Sequence, residues 1–393
     1  MSDDQQLTPH RRRWISGLII ACIGPVGIAA AVAFTPDQTF RMIGIYYAAA
    51  VWLMAIFVWW LFASGTPRWL RLGLPAVAFA GASIGWAMLV HRLEFNGAMV
   101  PRIVWTWQTS PDTERQQWFD RNVSEAVDDP TLGEPCRVFD EDWPRYCSAD
   151  GSRIIREPLT IRDWQQHPPQ ELWRHPVGEA WSSFAVVGPR MFTQEQRGDA
   201  ECIVCYHTDS GRELWVHRDE TRYSTAMGGT GPRATPTVTD DALFAVGATG
   251  LLTCLNPVTG SLQWQRYLTI DAGTDMPQWG FSGSPLVRND TVIVIAGGTN
   301  GKAVLAYRRD TGDIVWGSGS HHAGYSSPRI ELINDQPVLL IFHGDGLAAL
   351  DPDSGRPLWE YPMTNMYQVN VAQPILVNNR LFIGTGYDGK CVA

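Results

Sequence analysis

Arg233, Trp279, His321, His322 and Tyr325 are the residues whose types and spacing suggest binding chemistry in this chain. An arginine supplies a permanent cation for carboxylate or phosphate oxygens. A tryptophan offers a flat face for stacking. Two adjacent histidines offer metal ligands or a proton shuttle. Asp275, Tyr367 and Asn370 stand in comparable stretches. Each candidate also has a plainer reading. Neighbouring histidines on a loop commonly form a polar rim, and no Cys/His set here has zinc spacing. No serine stands in a nucleophile-elbow context. Cys202-Ile-Val-Cys205 spells a CxxC. Residues three apart on a strand point to opposite faces, which disfavours a bridge or a shared metal. Cys136 and Cys147 are eleven residues apart in loop-like text. They read either as a disulfide in an oxidising compartment or as two separate thiols. No catalytic residue and no metal-ligand set is assigned from the sequence.

The elements that must hold these residues show themselves as a repeat. Trp215, Trp264, Trp316 and Trp359 stand 49, 52 and 43 residues apart, each four residues after a glycine. The copies read HTDSGRELW (207–215), NPVTGSLQW (256–264), RRDTGDIVW (308–316) and DPDSGRPLW (351–359). A second mark precedes each tryptophan: SSFAV (182–186), ATPTV (234–238), SGSPLV (282–287) and SSPRI (326–330), with AQPIL (372–376) opening a fifth unit. Between the marks lie β-branched runs such as TVIVIAGG (291–298) and PVLLIFHG (337–344). Self-similarity at this period with strand-like text predicts four-stranded β-propeller blades. The turn glycine serves a left-handed position, and the preceding Asp or Asn caps the turn. The indoles are expected to fill the wedges between adjacent blades as structural docking residues. On this topology the loops from each fourth strand to the next inner strand lead to the axis. They are 227–235, 272–284, 319–327 and 362–373, and they carry every candidate named above. Loops on a rigid scaffold are where binding residues collect.

The Asp-x-x-Thr-Gly-x-x-x-Trp sentence resembles the tryptophan-docking repeat of PQQ-like (quinoprotein alcohol dehydrogenase-like) propellers. DWPRY (142–146) followed by Asp150-Gly151 is similar to the opening strand of that domain. FTQEQRG (192–198), GPRATPT (231–237), WGFSGSPL (279–286) and GYSSP (324–328) are similar to its blade text. The match covers roughly 142–393 and points to an uncharacterised bacterial, membrane-anchored group. The resemblance implies one of two activities. The non-enzymatic members imply a binding or scaffold module. The enzymes imply PQQ and Ca²⁺, a carboxylate base, an arginine at the quinone oxygens and a flat residue beneath it. Arg233 and Trp279 fit the last two roles. No convincing Glu/Asn/Asp set for Ca²⁺ is present, and the adjacent cysteine pair of PQQ alcohol dehydrogenases is missing.

Ahead of the repeats, 14–34, 42–63 and 72–90 are apolar and free of charge. Each is long enough to span a hydrocarbon core of about 30 Å. Three such stretches argue against a cleaved leader. Trp14, Trp59, Trp60 and Trp69 are expected as interfacial anchors. Arg11, Arg12 and Arg13 precede the first span, and Arg68 and Arg71 lie between the second and third. Positive residues stay inside. The expectation is a bacterial inner-membrane protein with a cytoplasmic N-terminus and a periplasmic propeller. Between 101 and 141, Ser110-Pro111-Asp112 predicts a helix start. Trp118, Phe119, Val123, Ala126 and Val127 form its apolar stripe. The net charge is −9; six Arg against three Asp in the first 90 residues leave −12 for the rest. An acidic outer part without basic runs speaks against nucleic acid.

The sequence therefore predicts a three-helix membrane anchor (1–91), a connector (92–141) and an all-β PQQ-like propeller (142–393) with four blades and part of a fifth. A complete ring of this kind has seven or eight blades. The chain is read as a fragment, with DWPRY awaiting a late strand to close on. The expected function is a membrane-tethered binding or scaffold module for a protein or small molecule at the funnel, with no cofactor of its own. The alternative is a PQQ/Ca²⁺-dependent dehydrogenase of a sugar or alcohol; a third reading is a sensor coupled to the spans.

Overall fold

Three apolar helices open the structure, a computed structural model that describes residues 9–35, 38–95, 99–107, 113–115, 117–118, 133–152, 154, 163–225, 228–386 and 389–393. They are α1 (Pro9–Phe34), α2 (Gln38–Phe62) and α3 (Arg68–Leu89), each long and apolar enough to cross a membrane. Helices α1 and α2 pack through small residues. A Cβ on Gly17 would strike the Trp59 ring, and one on Gly24 the Trp52 ring. Close backbone approach of this kind is how helices associate in lipid. Trp59 and Trp60 thus act differently from simple interfacial anchors. Trp59 covers Gly17, and Trp60 Nε1 donates to the Arg71 carbonyl at 3.1 Å. Arg71 donates to the carbonyls of Thr66 (2.7 Å) and Leu61 (3.0 Å), satisfying acceptors at the end of α2. A hairpin of β1 (Val90–Phe95) and β2 (Pro101–Trp105) follows. In the connector, Thr113–Arg115 and Gln117–Trp118 are helical. The expected helix start Ser110–Asp112 and the stripe residues Phe119, Val123, Ala126 and Val127 lie outside the described residues. The chain divides into two compact units, 1–110 with 225–229 and 111–224 with 230–393.

The second unit is built from antiparallel sheets of consecutive strands. Blade 1 is β3 (Ala185–Val187), β4 (Arg190–Arg197), β5 (Ala200–His207) and β6 (Glu213–Asp219). A short ribbon, β7 (Ser224–Thr225) and β8 (Gly229–Thr230), comes next. Blade 2 is β9 (Thr237–Val238), β10 (Leu243–Val246), β11 (Leu251–Leu255) and β12 (Leu262–Tyr267), followed by α4 (Leu268–Ala272). Blade 3 is β13 (Leu286–Arg288), β14 (Thr291–Ile295), β15 (Val304–Arg308) and β16 (Ile314–Ser318). Blade 4 is β17 (Arg329–Ile333), β18 (Gln336–His343), β19 (Gly346–Leu350) and β20 (Pro357–Pro362). Three strands of a fifth follow: β21 (Ile375–Val377), β22 (Arg380–Gly384) and β23 (Cys391–Val392). The middle strands are buried on both faces, so they read as unbroken apolar runs rather than alternating ones. Their side chains fill four seams between successive blades.

Trp215, Trp264 and Trp316 each reach across one seam to the next turn. A Cβ on Gly260 would meet the Trp215 ring, one on Gly312 the Trp264 ring and one on Gly355 the Trp316 ring. These glycines have φ of +70°, +73° and +69°, so the turn needs both a left-handed backbone and a bare surface. The indoles also bond: Trp215 Nε1 donates to the Pro257 carbonyl (3.2 Å) and Trp264 Nε1 to that of Arg309 (2.8 Å). The caps behave as expected. Asn256 Oδ1 accepts from the backbone N–H of Val258 and Thr259, and Asp351 Oδ1 from Asp353 and Ser354. In all four blades the pairing of the third and fourth strands slips by one residue just before the tryptophan. This bulge re-aims the indole at the neighbouring blade. Trp359 departs from the expected wedge: it is 40% exposed, and no described glycine meets its ring.

Two segments before blade 1 carry structure that the repeat pattern did not assign. Trp173 lies over Gly211, and its Nε1 donates to the Thr208 carbonyl at 2.7 Å. It is a fifth docking tryptophan. DWPRY already has a partner within the chain: Trp143 pairs antiparallel with Val186 of β3. The Pro144 carbonyl accepts from Val238 of β9, and the Gly151 carbonyl from Arg329 of β17 at 2.6 Å. The segment thus ties the first strands of blades 1, 2 and 4. Cys136 and Cys147 are both buried and are not joined by a bridge. Cys202 and Cys205 join apolar clusters on opposite faces of β5, as the strand period requires.

Candidate functional site

Four inter-blade connections bring Arg233, Trp279, Tyr325 and Tyr367 into one cluster. Arg233 Nε donates to the Trp279 carbonyl at 2.5 Å, and its Nη1 to that of Gly231 at 3.3 Å. Its guanidinium lies 4.7 Å over the ring of Tyr223. The Tyr223 hydroxyl donates to the Gln278 carbonyl (3.1 Å), closing the link from the blade 1–2 connection to the blade 2–3 connection. Trp279 meets Tyr325 edge-on at 5.7 Å and Tyr367 at 6.2 Å, with interplanar angles of 62° and 80°. These are the offset geometries that aromatic quadrupoles favour. The Trp279 N–H donates to the Tyr325 hydroxyl at 3.3 Å. Burial lowers the Arg233 pKa, while Tyr223, Tyr325 and Glu201 act the other way.

The remaining candidates take other places. Asn370 is buried and holds backbone: its Nδ2 donates to the carbonyls of His343 (2.7 Å) and Met363 (2.9 Å). Asp275 is exposed. His321 stacks on His343 of β18 with centroids 3.5 Å apart and planes 13° apart. Burial pushes His321 down to about 4 and His343 down to about 3, so both rings are neutral at pH 7. His322 instead faces Asp345: Nδ1 lies 3.0 Å from Oδ2, and its backbone N–H donates to the same oxygen at 2.9 Å. Burial opposes that carboxylate, yet the two His322 contacts hold its pKa below the usual value. The adjacent histidines therefore point to different neighbours rather than to one metal. Among the described residues no three His, Cys, Asp or Glu side chains are grouped to hold a metal ion.

Sequence reasoning missed two acidic centres in blade 1. Glu195 is buried and accepts from Arg197 Nε (2.9 Å) and the Tyr206 hydroxyl (2.7 Å). Its other oxygen accepts from the Gly178 N–H, pinning the segment that carries Trp173. Burial opposes the Arg197 charge, but Glu195, Tyr206 and Glu213 keep its pKa raised. Glu201, at the start of β5, is also buried; burial pushes its carboxyl up to about 7. The available signal was a lone carboxylate opening a strand that is otherwise apolar, AECIVCYH.

PQQ with Ca²⁺ does not fit the residues present. Arg233 is committed to the Trp279 carbonyl and the Tyr223 face, and Trp279 is boxed by two tyrosines. No carboxylate set converges beside them among the described residues.

The family model described as outer membrane protein assembly factor BamB matches residues 166–276 and, in a second frame, 199–393. The chain belongs to this PQQ-like propeller family. Similar solved structures include the quinohemoprotein alcohol dehydrogenase from Pseudomonas putida HK5, at 14% identity and TM-score 0.46, covering 64% of this chain and 46% of that one. The quinohemoprotein alcohol dehydrogenase from Comamonas testosteroni gives 16% identity and 0.46, covering 70% and 49%. BamB from Moraxella catarrhalis gives 18% identity and 0.37, covering 54% and 60%. The chain spans about half the length of the two dehydrogenases. Comparison with curated protein sequences finds no match.

Proposed function

We propose that this chain is a membrane-tethered, periplasmic binding and scaffold module of the PQQ-like propeller family, without catalysis of its own. One observation carries the reading. Arg233, Trp279, Tyr325 and Tyr367 of the funnel loops are engaged with one another, while apolar side chains on the same connections project into solvent. Ile270 and Met366 are 74% and 73% exposed, and Val371 is 57% exposed. Exposed apolar groups on loops, methionine among them, suit recognition of a protein surface. Arg11, Arg12 and Arg13 at the start of α1 and Arg68 and Arg71 at the start of α3 favour a cytoplasmic N-terminus, so three crossings put the propeller on the far side.

The test uses the full-length protein in detergent. Titration with PQQ and Ca²⁺, followed by tryptophan fluorescence, gives no saturable change on this reading. A saturable, stoichiometric change replaces it with the dehydrogenase. In membranes, a photo-crosslinker at Met366 or Ile270 gives one discrete adduct. The same probe at Arg380, on the opposite hairpin of the partial blade, gives none.

A further inference from the structure

Glu201 is 5% exposed at the seam of blades 1 and 2. Its Oε2 accepts from the Ala248 N–H at 3.2 Å, in the turn between β10 and β11. Its Oε1 presses on Gly247, where a Cβ would clash. The same turn carries the aromatic loop: the Ala248 carbonyl accepts from the Phe281 N–H at 2.8 Å, and Gly280 packs on that carbonyl. Trp279 is the next residue back, and its carbonyl takes the Arg233 bond. Glu201 therefore touches the Trp279 loop through a chain of three hydrogen-bonded groups.

We propose that Glu201 is a proton-operated latch, holding the Gly247–Gly250 turn and the Trp279 loop closed when protonated and loosening them when ionised. The surrounding charges set it up. Asp219 of β6 is its cross-strand partner, a like charge beside it. Asp219 in turn accepts from Gln265 of β12 at 2.7 Å and lies 3.4 Å from His217 Nε2. Among the described residues Arg233 supplies the opposing charge, from the blade 1–2 connection. The β10–β11 turn, Gly247-Ala248-Thr249-Gly250, carries no titratable side chain. Burial raises the Glu201 pKa, the Ala248 N–H lowers it, Asp219 raises it and Arg233 lowers it; the balance is about 7, so the latch changes state near neutrality. A carboxylate is the better acceptor for the Ala248 N–H, but burial outweighs that bond, and an open turn lets water reach the ion, so ionisation favours opening. This inference stands apart from the proposed scaffold role.

Amide exchange on the full-length protein, corrected for intrinsic rate and read on peptides covering 246–252 and 278–283, tests it. Between pH 5 and pH 8 the wild type loses several-fold protection in both peptides. Glu201→Gln shows a flat profile, and Asp219→Asn moves the midpoint to lower pH. A flat or rising wild-type profile, or the same fall in Glu201→Gln, overturns the proposal. Peptides over β18 report that each variant is folded. Should Glu201→Gln fail to fold, Asp219→Asn decides alone: an unmoved midpoint overturns the latch.

Discussion

Trp264 and Trp359 occupy equivalent places in their repeats, yet their surroundings differ. Trp264 is 9% exposed, bonded to the Arg309 carbonyl and seated on Gly312. Trp264→Ala should cost about 3–5 kcal/mol, as large aromatic truncations in cores do. Trp359→Ala should cost less than about 2 kcal/mol, since less surface leaves water there. Chemical denaturation of the two variants checks the ordering. Titration separates two buried groups by sign. Glu201 has a folded pKa raised above 4.5 to about 7. Its contribution is full below about 4.5, falls as pH rises through that window and is level above it. Glu201→Gln should therefore gain on the wild type between pH 5 and pH 8, by on the order of 2–3 kcal/mol, in melting curves. His321 and His343 have lowered pKa values, so their contribution is full above pH 6.5 and is lost as pH falls toward 4 and 3. His343→Asn should flatten that acid limb. The thiols follow the same logic. Burial pushes Cys136 up to about 11 and Cys202 and Cys254 up to about 12. A soluble maleimide at pH 8 should modify exposed Cys391 in the folded protein and leave these three until denaturant is added.

At the scale of elements, the segment 142–152 acts as a tie. It bonds to β3, β9 and β17, the first strands of three blades. Arg329→Ala removes its link to blade 4 while Glu331 loses its partner. The expected result is faster proteolysis within 145–152, with the β18 core still protected; equal cleavage of both variants would contradict the tie. Trp173 was hidden in the sequence for a local reason. Pro169 stands where the other copies have glycine, so its turn sentence is lost although ELW (171–173) repeats ELW (213–215). The bulge that aims each indole was equally hidden, because one extra residue in a pairing leaves no mark in composition.

For the whole molecule, α1, α2 and α3 lead to the expectation that alkaline carbonate washing leaves the protein in the membrane pellet and detergent releases it. The blades, the docking turns and the apolar helices were legible in the sequence because each is a local periodicity: a Gly-to-Trp spacing, an apolar run, a capped turn. So was the opposition of Cys202 and Cys205, which the strand period alone dictates. Only tertiary structure decided which residues of separate loops meet. It joined Arg233, Trp279, Tyr325 and Tyr367 across four connections, sent His321 and His322 to different neighbours and buried Glu201 under a turn about 47 residues on. Those contacts depend on how blades stack, and stacking is long-range geometry that no window of sequence contains.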